Sequence, residues 1–138
     1  MTENTFEMVR SNIAATPFHQ WLLPELKEVD DKKGTVTIVL PLRQEFQRLP
    51  DRTDAHGGII ATLIDMTGHA AVCSKMHHSV ATIDMRVDYL RLAGGAALRA
   101  VATIVKMGRT IAVVDTQVFD DQNKLAAIGR ATYLTAHI

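Results

Sequence analysis

The chain has 138 residues, 47% of them hydrophobic and 22% charged, which is the composition of a soluble globular protein with one domain over residues 1–138. Its 15 basic residues balance 15 acidic ones, which argues against a nucleic-acid partner and against an anionic membrane, because both require a basic surface. The single cysteine excludes an internal disulfide, no apolar run reaches the ~18 residues of a membrane span, and the start Met1–Asn4 lacks a secretion signal, so we predict a cytoplasmic protein.

The first predicted element is a short amphipathic helix over residues 3–14. Its apolar side chains, among them Phe6 and Ile13, fall near one side, and Pro17 follows the end of the helix. Trp21 lies in the apolar patch after the proline, where it either anchors this segment onto the core or lines a ligand pocket.

Two strands and a loop come next. Residues 26–30 and 35–40 are predicted strands joined by a turn at residues 31–34, and Pro41 ends the second strand. Residues 42–55 are polar and irregular, so we predict a loop that leads directly into the next helix.

Residues 59–73 predict a buried helix around which the rest of the chain is organised. Apolar residues face nearly every side and no proline interrupts the segment, which is typical of a helix surrounded by protein. Two glycines before it suit a tight turn where backbones approach closely, and Thr53 or Asp54 is the predicted N-cap. Cys73 is predicted to be a small buried residue of the core.

Asp65 is the only carboxylate of this helix. A carboxylate in a buried helix is costly unless it is paired or faces a wet cleft. Positions three and four residues apart share a face, so Gly58, Thr62 and His69 form one polar stripe with it. From the helix alone two interpretations are open, a structural pair with His69 or a strand backbone, or a functional carboxylate. His69 itself either hydrogen-bonds the carboxylate or fills the space beside it.

The C-terminal half predicts strands throughout. A polar connection over residues 74–79, predicted to be a solvated loop, precedes a strand over residues 82–89 with strict alternation. One face of that strand carries Ile83, Met85, Val87 and Tyr89, and the other carries Asp84, Arg86 and Asp88. The remaining strands are predicted over residues 98–107, 110–120 and 125–136. The charged face is either wet or part of a contact between subunits.

The predicted fold class is therefore α+β, with an antiparallel sheet of about six strands wrapped around one long helix and a short helix at the N-terminus. One such sheet leaves an edge strand unpaired and covers the helix incompletely. We therefore predict edge-to-edge pairing of two copies in a symmetric homodimer.

The sequence HGGIIATLID over residues 56–65 opens the central helix, and DMRVDYLRLA, KMGRT and KLAAIGRATY follow it in this order. In this combination the chain resembles the hotdog-fold acyl-CoA thioesterases, most closely the phenylacetic-acid-degradation type, over nearly its whole length. The resemblance implies a hotdog fold, hydrolysis of a medium-chain or aryl acyl-CoA to free acid and CoA, and a homotetramer built as a dimer of dimers. It implies no cofactor, because CoA is part of the substrate.

The resemblance also implies roles for individual residues. The carboxylate of Asp65 activates water or itself attacks the thioester carbonyl, and the backbone N–H of Gly57 polarises that carbonyl. His56 orients the turn, Gly58 belongs to the substrate site, and the hydroxyl of Thr82 helps to hold the attacking water.

One position departs from the family pattern. Many members carry an Asn shortly before the His-Gly-Gly sequence, where this chain has Pro50. Gln47 or Asp51 is left to take over the positioning of the water.

The spacing of the two central groups predicts a shared active site. Gly57 and Asp65 are eight residues apart, which is ~12 Å along a helix. Reacting groups must come within about 3.5 Å of each other, so one helix cannot bring both groups to one carbonyl. Two antiparallel helices related by a twofold axis can, with Gly57 of one subunit facing Asp65 of the other. The free N–H groups and the dipole of a helix N-terminus suit the developing negative charge.

The phosphates of CoA require basic side chains at the mouth of the pocket. Lys106 and Arg109 are the predicted pair, and Arg91 and Arg130 are alternatives. Tyr89 either contacts the CoA arm or packs in the core.

Two alternative functions stay open. A dehydratase or hydratase of the same fold would use His56 as the base, with an acid across the interface. A non-catalytic acyl-CoA-binding module would hold the same ligand without hydrolysis, and the departure at Pro50 keeps this alternative open. No metal site is predicted, because Asp65 and His69 lack a third ligand.

Overall fold

The computed structural model describes residues 3–136, over which it has three helices, one 3-10 turn and six strands. In chain order the elements are α1 (Glu3–Ala15), α2 (Pro17–Leu22), β1 (Glu25–Asp30), β2 (Thr35–Pro41), the 3-10 turn (Gln44–Phe46), α3 (Gly57–Met76), β3 (Ala81–Tyr89), β4 (Ala97–Met107), β5 (Ile111–Phe119) and β6 (Leu125–Leu134). Residues 1–2 and 137–138 of the predicted domain lie outside the described residues. Residues 1–2 are also part of the segment 1–4 on which the absence of a secretion signal was predicted. No helix in the described part of the chain is long and apolar enough to cross a membrane.

All six strands form one antiparallel sheet in the order β1-β2-β4-β5-β6-β3. The connection through α3 carries the chain from β2 to the opposite edge of the sheet, where β3 pairs with β6. The predicted α+β architecture, with six antiparallel strands and one long helix, is confirmed.

The long helix α3 packs on the inner face of this sheet. Leu63 and Ile64 are almost fully buried there, and the strands meet the helix with small side chains. Six buried alanines of β4, β5 and β6 belong to the same core, namely Ala100, Ala102, Ala112, Ala126, Ala127 and Ala131. The contact is close at Gly129, where a Cβ would lie 2.7 Å from Cγ2 of Ile64. Small residues on the strands therefore let the helix lie close to the sheet.

The boundaries of α3 differ from the prediction. The helix runs over Gly57–Met76 and is longer at both ends than predicted. Its N-cap is His56, so the prediction of Thr53 or Asp54 was wrong. The reason is that the carboxylate of Asp54 accepts a hydrogen bond from Arg48 instead of capping the helix.

The edge strand β3 contains a bulge at Ile83, which the predicted strict alternation missed. Thr82 pairs with Tyr133 and Asp84 pairs with Thr132, so Ile83 is the extra residue in the ladder. Its side chain is 53% exposed. The bulge turns Thr82 toward α3, whereas strict alternation placed Thr82 on the opposite face.

The N-terminal segment contains one helix more than predicted. The predicted first helix is confirmed, and the apolar patch after it forms the short α2. Trp21 on α2 is 48% exposed, so it is not a core residue. Its ring meets Phe46 edge to face at a centroid distance of 5.2 Å, and the guanidinium of Arg43 lies over it. Cys73 is buried as predicted, and burial raises the pKa of its thiol to about 11.

Candidate active site

The turn before α3 leaves one backbone N–H free. Nδ1 of His56 accepts a hydrogen bond from the N–H of Gly58 at 2.9 Å, and the His56 carbonyl accepts one from Ile59 at 2.9 Å. The N–H of Gly57 has no hydrogen-bond partner among the described residues. A free N–H at the N-terminus of a helix is a donor for an anion or a polarised carbonyl oxygen. His56 therefore satisfies the second N–H of the helix and leaves the first one available.

Two hydrogen bonds hold this turn from either side. The Tyr89 hydroxyl donates to the Gly57 carbonyl at 2.7 Å, and the Tyr89 ring lies 3.4 Å from the position that a Cβ of Gly57 would occupy. On the other side, the N–H of His56 donates to the carbonyl of Phe46 at 2.7 Å. Tyr89, which is 52% exposed, therefore lies against the turn at the surface and not in the core.

A buried carboxylate secures the loop that leads into the turn. The Asp54 side chain is 8% exposed and makes ion pairs with Arg48 at 2.6 Å and Arg52 at 3.0 Å. The hydrogen bond from Arg48 holds the pKa of Asp54 below its usual range. The backbone of Gly94 packs behind the loop, where a Cβ would lie 2.7 Å from the carbonyl oxygen of Thr53. Sequence reasoning identified Arg48 and Arg52 only as charges in a polar loop and did not pair them with Asp54.

Asp65 lies half-buried on α3 with two hydroxyls beside it. The Thr82 hydroxyl donates to Oδ1 at 2.8 Å. The Tyr133 hydroxyl donates to the Asp65 carbonyl at 2.9 Å and lies 3.3 Å from the same Oδ1. Within residues 3–136, no group hydrogen-bonds the second oxygen, Oδ2. The structure thus brings together Asp65 and Thr82, and adds Tyr133, which is 68 residues away in sequence and was missed.

The hydrogen bonds of His69 go to the connection between α3 and β3 and to Cys73, and not to Asp65. Of the two open interpretations, the hydrogen-bonded pair with Asp65 is therefore absent. Nε2 of His69 lies 3.1 Å from both Ser79 Oγ and the Val80 carbonyl oxygen. Burial lowers the pKa of His69, and the charge of Asp65 partly opposes this effect. Among residues 3–136, no group of three or more His, Cys, Asp or Glu side chains is placed to hold a metal ion.

The free N–H and the carboxylate stay apart within one chain. Both Gly57 and Asp65 belong to the same uninterrupted helix, so the rise of an α-helix separates them by ~12 Å. The strand that contacts Asp65 through Thr82 is β3, an edge strand of the sheet.

A cavity of about 560 Å³ opens beside Gly57. Its walls combine the two glycines of the turn and Tyr89 with two arginines, Arg48 and Arg91. Its apolar lining residues are Ala55, Ile60, Leu90, Leu92 and Ala93. A mostly apolar cleft of this size with a few cationic groups is typical of a small-molecule site.

Lys106 and Arg109 lie at the other end of the sheet. Leu134 pairs with Ile111 on one side and with Ala81 on the other, so the turn between β4 and β5 lies at the same end as the start of β3. The predicted CoA-binding pair is therefore on the side of Thr82 and not beside Gly57.

The outer face of the sheet carries ion pairs. Arg130 makes two hydrogen bonds to Asp115, at 2.6 Å and 2.8 Å, and Arg86 pairs with Asp88 at 3.2 Å. Arg130 therefore has a carboxylate partner on the face away from α3, which makes it the weakest of the four predicted cations for a phosphate.

Pro50 lies in an exposed turn with Asp51. Gln47 is partly buried and forms an isolated bridge with Ala55, directly before His56. Of the two predicted substitutes for the family Asn, Gln47 is the one that the backbone brings next to the turn.

Known proteins match this chain in sequence. The family model described as the thioesterase superfamily matches residues 53–127, which include the turn, Asp65 and Thr82. A protein of Halobacterium salinarum that is provisionally named an esterase is 35% identical over 115 residues, 75% of this chain and 76% of that protein. The medium/long-chain acyl-CoA thioesterase YigI of Escherichia coli is 30% identical over 94 residues, 57% of this chain and 61% of that enzyme.

Solved structures match it in fold. An X-ray structure of a protein from the thioesterase superfamily has a TM-score of 0.90 at 35% identity, over 96% of this chain and 98% of that one. The PaaI protein from the phenylacetic acid degradation operon of E. coli has a TM-score of 0.82 at 18% identity, over 94% and 91% of the two chains. At that identity the likeness to PaaI concerns the fold alone. The predicted hotdog fold is confirmed.

Proposed function

The chain belongs to the thioesterase superfamily, and from this membership we propose that it is an acyl-CoA thioesterase that hydrolyses a medium-chain or aryl acyl-CoA to the free acid and CoA. Relatives named thioesterase or esterase support thioester hydrolysis as the reaction. The name of YigI supports acyl-CoA as the substrate class.

One observation carries the proposal, the free N–H of Gly57 at the start of the helix that also presents Asp65. The N–H is an oxyanion donor in a position where the helix dipole favours negative charge. The carboxylate has one oxygen held by hydroxyls and one oxygen without a partner in residues 3–136. Acyl transfer requires this combination of a donor for the carbonyl oxygen and a base for water.

In the proposed mechanism Asp65 takes a proton from water, and the resulting hydroxide attacks the thioester carbon. The carbonyl oxygen gains negative charge beside the N–H of Gly57, the C–S bond breaks, and the CoA thiolate leaves and recovers the proton. Direct attack by Asp65, followed by hydrolysis of the acyl-aspartate, consumes the same single water. Both routes require an ionised Asp65, and Thr82 orients it or the water.

We further propose that each site is shared between two subunits of a dimer. The separation of ~12 Å along α3 is too long for one carbonyl, and β3 offers an open sheet edge for a second copy. An antiparallel pair of α3 helices would then bring Gly57 of one subunit to Asp65 of the other. A tetramer built from two such dimers, and membership of the phenylacetic-acid-degradation type, are finer proposals that follow from the resemblance.

The cavity beside Gly57 is the proposed site of the CoA arm. Tyr89 and the exposed leucines supply apolar contacts for the pantetheine, and Arg91 supplies charge for a phosphate. Arg48 is engaged by Asp54, which leaves Arg91 as the more available arginine. In the shared site, Lys106 and Arg109 would come from the subunit that supplies Asp65. No cofactor takes part in this proposal.

The decisive experiment measures thiol release from acyl-CoAs that range from short to long chains and include aryl groups. We expect hydrolysis of at least one substrate by the wild type and a loss of about 10²-fold or more in Asp65→Asn, the size expected when a general base is removed. Glu28→Gln removes an exposed carboxylate at the far edge of the sheet and serves as the matched control.

Three results would contradict the proposal. Full turnover by Asp65→Asn would remove this carboxylate from the mechanism. Hydration of an enoyl-CoA without free thiol would indicate the dehydratase or hydratase alternative with His56 as base. Tight binding of acyl-CoAs without thiol release across the whole panel would indicate the non-catalytic binding module.

A further inference from the structure

Tyr133 is a fully buried side chain that the proposed mechanism does not use. It lies on β6 with 0% exposure, and its hydroxyl reaches the middle of α3 at Asp65. It also lies beyond residues 53–127, the part of the chain that the family model matches. The resemblance includes Tyr133 as the last residue of KLAAIGRATY but assigns it no role.

The Tyr133 hydroxyl has two acceptors on the same residue. It lies 2.9 Å from the Asp65 carbonyl oxygen and 3.3 Å from Oδ1 of the carboxylate. The carbonyl is inside α3, where the helix itself supplies a donor four residues later. A charged acceptor forms the stronger hydrogen bond, and hydrogen bonds of catalytic groups often tighten only when substrate is bound. The hydroxyl that donates to the carbonyl therefore also lies within hydrogen-bond distance of the carboxylate.

The helix is built to admit this hydroxyl. Gly68 lies in the interior of α3, where a glycine weakens a helix relative to alanine. A Cβ at this position would overlap the Tyr133 hydroxyl. The absence of a side chain at Gly68 is therefore what lets Tyr133 reach Asp65.

We propose that Tyr133 is a positioning residue for the active carboxylate, which with Thr82 holds Oδ1 of Asp65 and so directs Oδ2 toward the water and the substrate. This inference rests on the proposed function, since it assigns a role at the same site. Both donors contact one oxygen, Thr82 at 2.8 Å and Tyr133 at 3.3 Å. Two donors on one oxygen fix the rotation of the carboxylate, which a single donor does not.

Among the described residues, few charged or titratable groups lie near the Asp65 carboxylate. On α3 itself His69 lies one turn away, β6 supplies Tyr133, and β3 supplies the uncharged Thr82. Burial and the charge of Asp65 raise the pKa of Tyr133, so the phenol keeps its proton. Burial lowers the pKa of His69, so this ring is neutral at neutral pH. Among the described residues, the groups that hydrogen-bond the carboxylate are therefore the two hydroxyls on Oδ1.

The test compares the pH–rate profile of wild type and Tyr133→Phe, which removes only the hydroxyl. We expect kcat to fall by about tenfold, the effect of losing one hydrogen bond to a charged group, with KM within about twofold because no substrate contact is lost. The ionised carboxylate loses a donor, so the acid limb of the profile should move to higher pH. Gly68→Ala, which pushes the hydroxyl away, should move the profile in the same direction.

A matched control removes a different buried hydroxyl of α3. The Thr67 hydroxyl donates to the Leu63 carbonyl at 2.6 Å and does not contact Asp65. Thr67→Val should leave the position of the acid limb unchanged, whereas a merely structural role of Tyr133 predicts the same behaviour for both variants.

A readout without catalysis separates this inference from the proposed function. In protein labelled with carbon-13 at Asp side chains, the Asp65 carboxyl signal is assigned from Asp65→Asn and titrated in wild type and Tyr133→Phe. We expect a higher titration midpoint in Tyr133→Phe. An unmoved midpoint in Tyr133→Phe would overturn the role of Tyr133. So would an unchanged kcat and acid limb in Tyr133→Phe, provided that Asp65→Asn is inactive. Hydrolysis that survives in Asp65→Asn would instead overturn the proposed function, and the midpoint would still decide the interaction.

Discussion

Asp65 and His69 are one helical turn apart, and the structure gives them separate partners. Hydroxyls from β3 and β6 surround the carboxylate, and the imidazole bonds to Ser79 and Val80 in the connection that leads into β3. His69 therefore holds the segment that precedes β3, the strand on which Thr82 contacts Asp65. It does so as a neutral ring, because burial disfavours its charged form.

His69 should make stability depend on pH. In the unfolded chain it takes a proton near its ordinary pKa of about 6.5, whereas in the folded protein burial lowers that pKa. As the pH falls through the pKa that His69 has in the unfolded chain, the unfolded state binds a proton before the folded state does. The free energy of unfolding therefore decreases. The decrease stops below the folded pKa. Chemical denaturation from about pH 8 to pH 5 should show a smaller decrease in His69→Gln than in wild type.

The matched control is the exposed His77, which ends α3 in a left-handed conformation with φ of 63°. His77→Asn suits that conformation and should keep the wild-type pH dependence. Equal pH dependence of wild type and His69→Gln would show that His69 titrates alike in the folded and unfolded chains.

At the residue scale, the sequence predicted the carboxylate side of the site better than its surroundings. The resemblance named Asp65 and Thr82, which the structure brings to 2.8 Å. Tyr133 was assigned no role, although the segment KLAAIGRATY ends on it, because a tyrosine near the end of a strand of alternating residues is typical of core packing. The partners of Asp54 were hidden for a similar reason, since charges in a loop do not reveal which of them is buried.

At the element scale, the contact between α3 and β6 sets how closely helix and sheet approach. Gly129→Ala should place a Cβ 2.7 Å from Ile64 Cγ2, and overpacking of this kind costs about 1–3 kcal/mol. Urea denaturation measures the loss of free energy of unfolding. In the double variant with Ile64→Ala, the loss of free energy of unfolding should be smaller than the sum of the two single losses by about 1 kcal/mol. Full additivity would show that the backbone shifts to admit the methyl group.

The elements themselves were largely predicted, and the differences have local causes. Periodicity gave α1, α3 and all six strands to within a few residues. It missed α2, because six residues are too few to show a helical period. It also missed the bulge, because one extra residue in β3 leaves the alternation of the letters intact and changes only their pairing with β6.

At the scale of the whole molecule, a shared site predicts that two inactive subunits restore one active site. Gly57→Pro removes the N–H, and proline is accepted at the first position of a helix. The preceding His56 has φ of −59° and ψ of 138°, which suits a residue before proline. Gly57→Pro and Asp65→Asn should each be inactive alone. Random mixing of the two subunits should recover about a quarter of the wild-type activity, since half of the dimers are mixed and each has one intact site.

The complementation is measured by thiol release after the two variants are unfolded and refolded together, with each variant refolded alone for comparison. Gly57→Ala, which keeps the N–H, separates the loss of the donor from the loss of the glycine. An inactive mixture that contains mixed dimers would place both groups of each site in one chain. The sequence predicted this shared arrangement from the spacing of Gly57 and Asp65 alone, because the rise of a helix is fixed.

The bulge at Ile83 makes strand pairing part of the chemistry. Because Ile83 is the extra residue, Thr82 and Asp84 lie on opposite faces of β3. Were Ile83 instead paired with β6 in a regular ladder, Thr82 would lie on the same face as Asp84, away from Asp65. No side chain of the site would have changed, and its hydroxyl would nevertheless be missing. A β3 strand that paired every residue from Thr82 to Asp84 with β6 would therefore need another donor to hold the carboxylate.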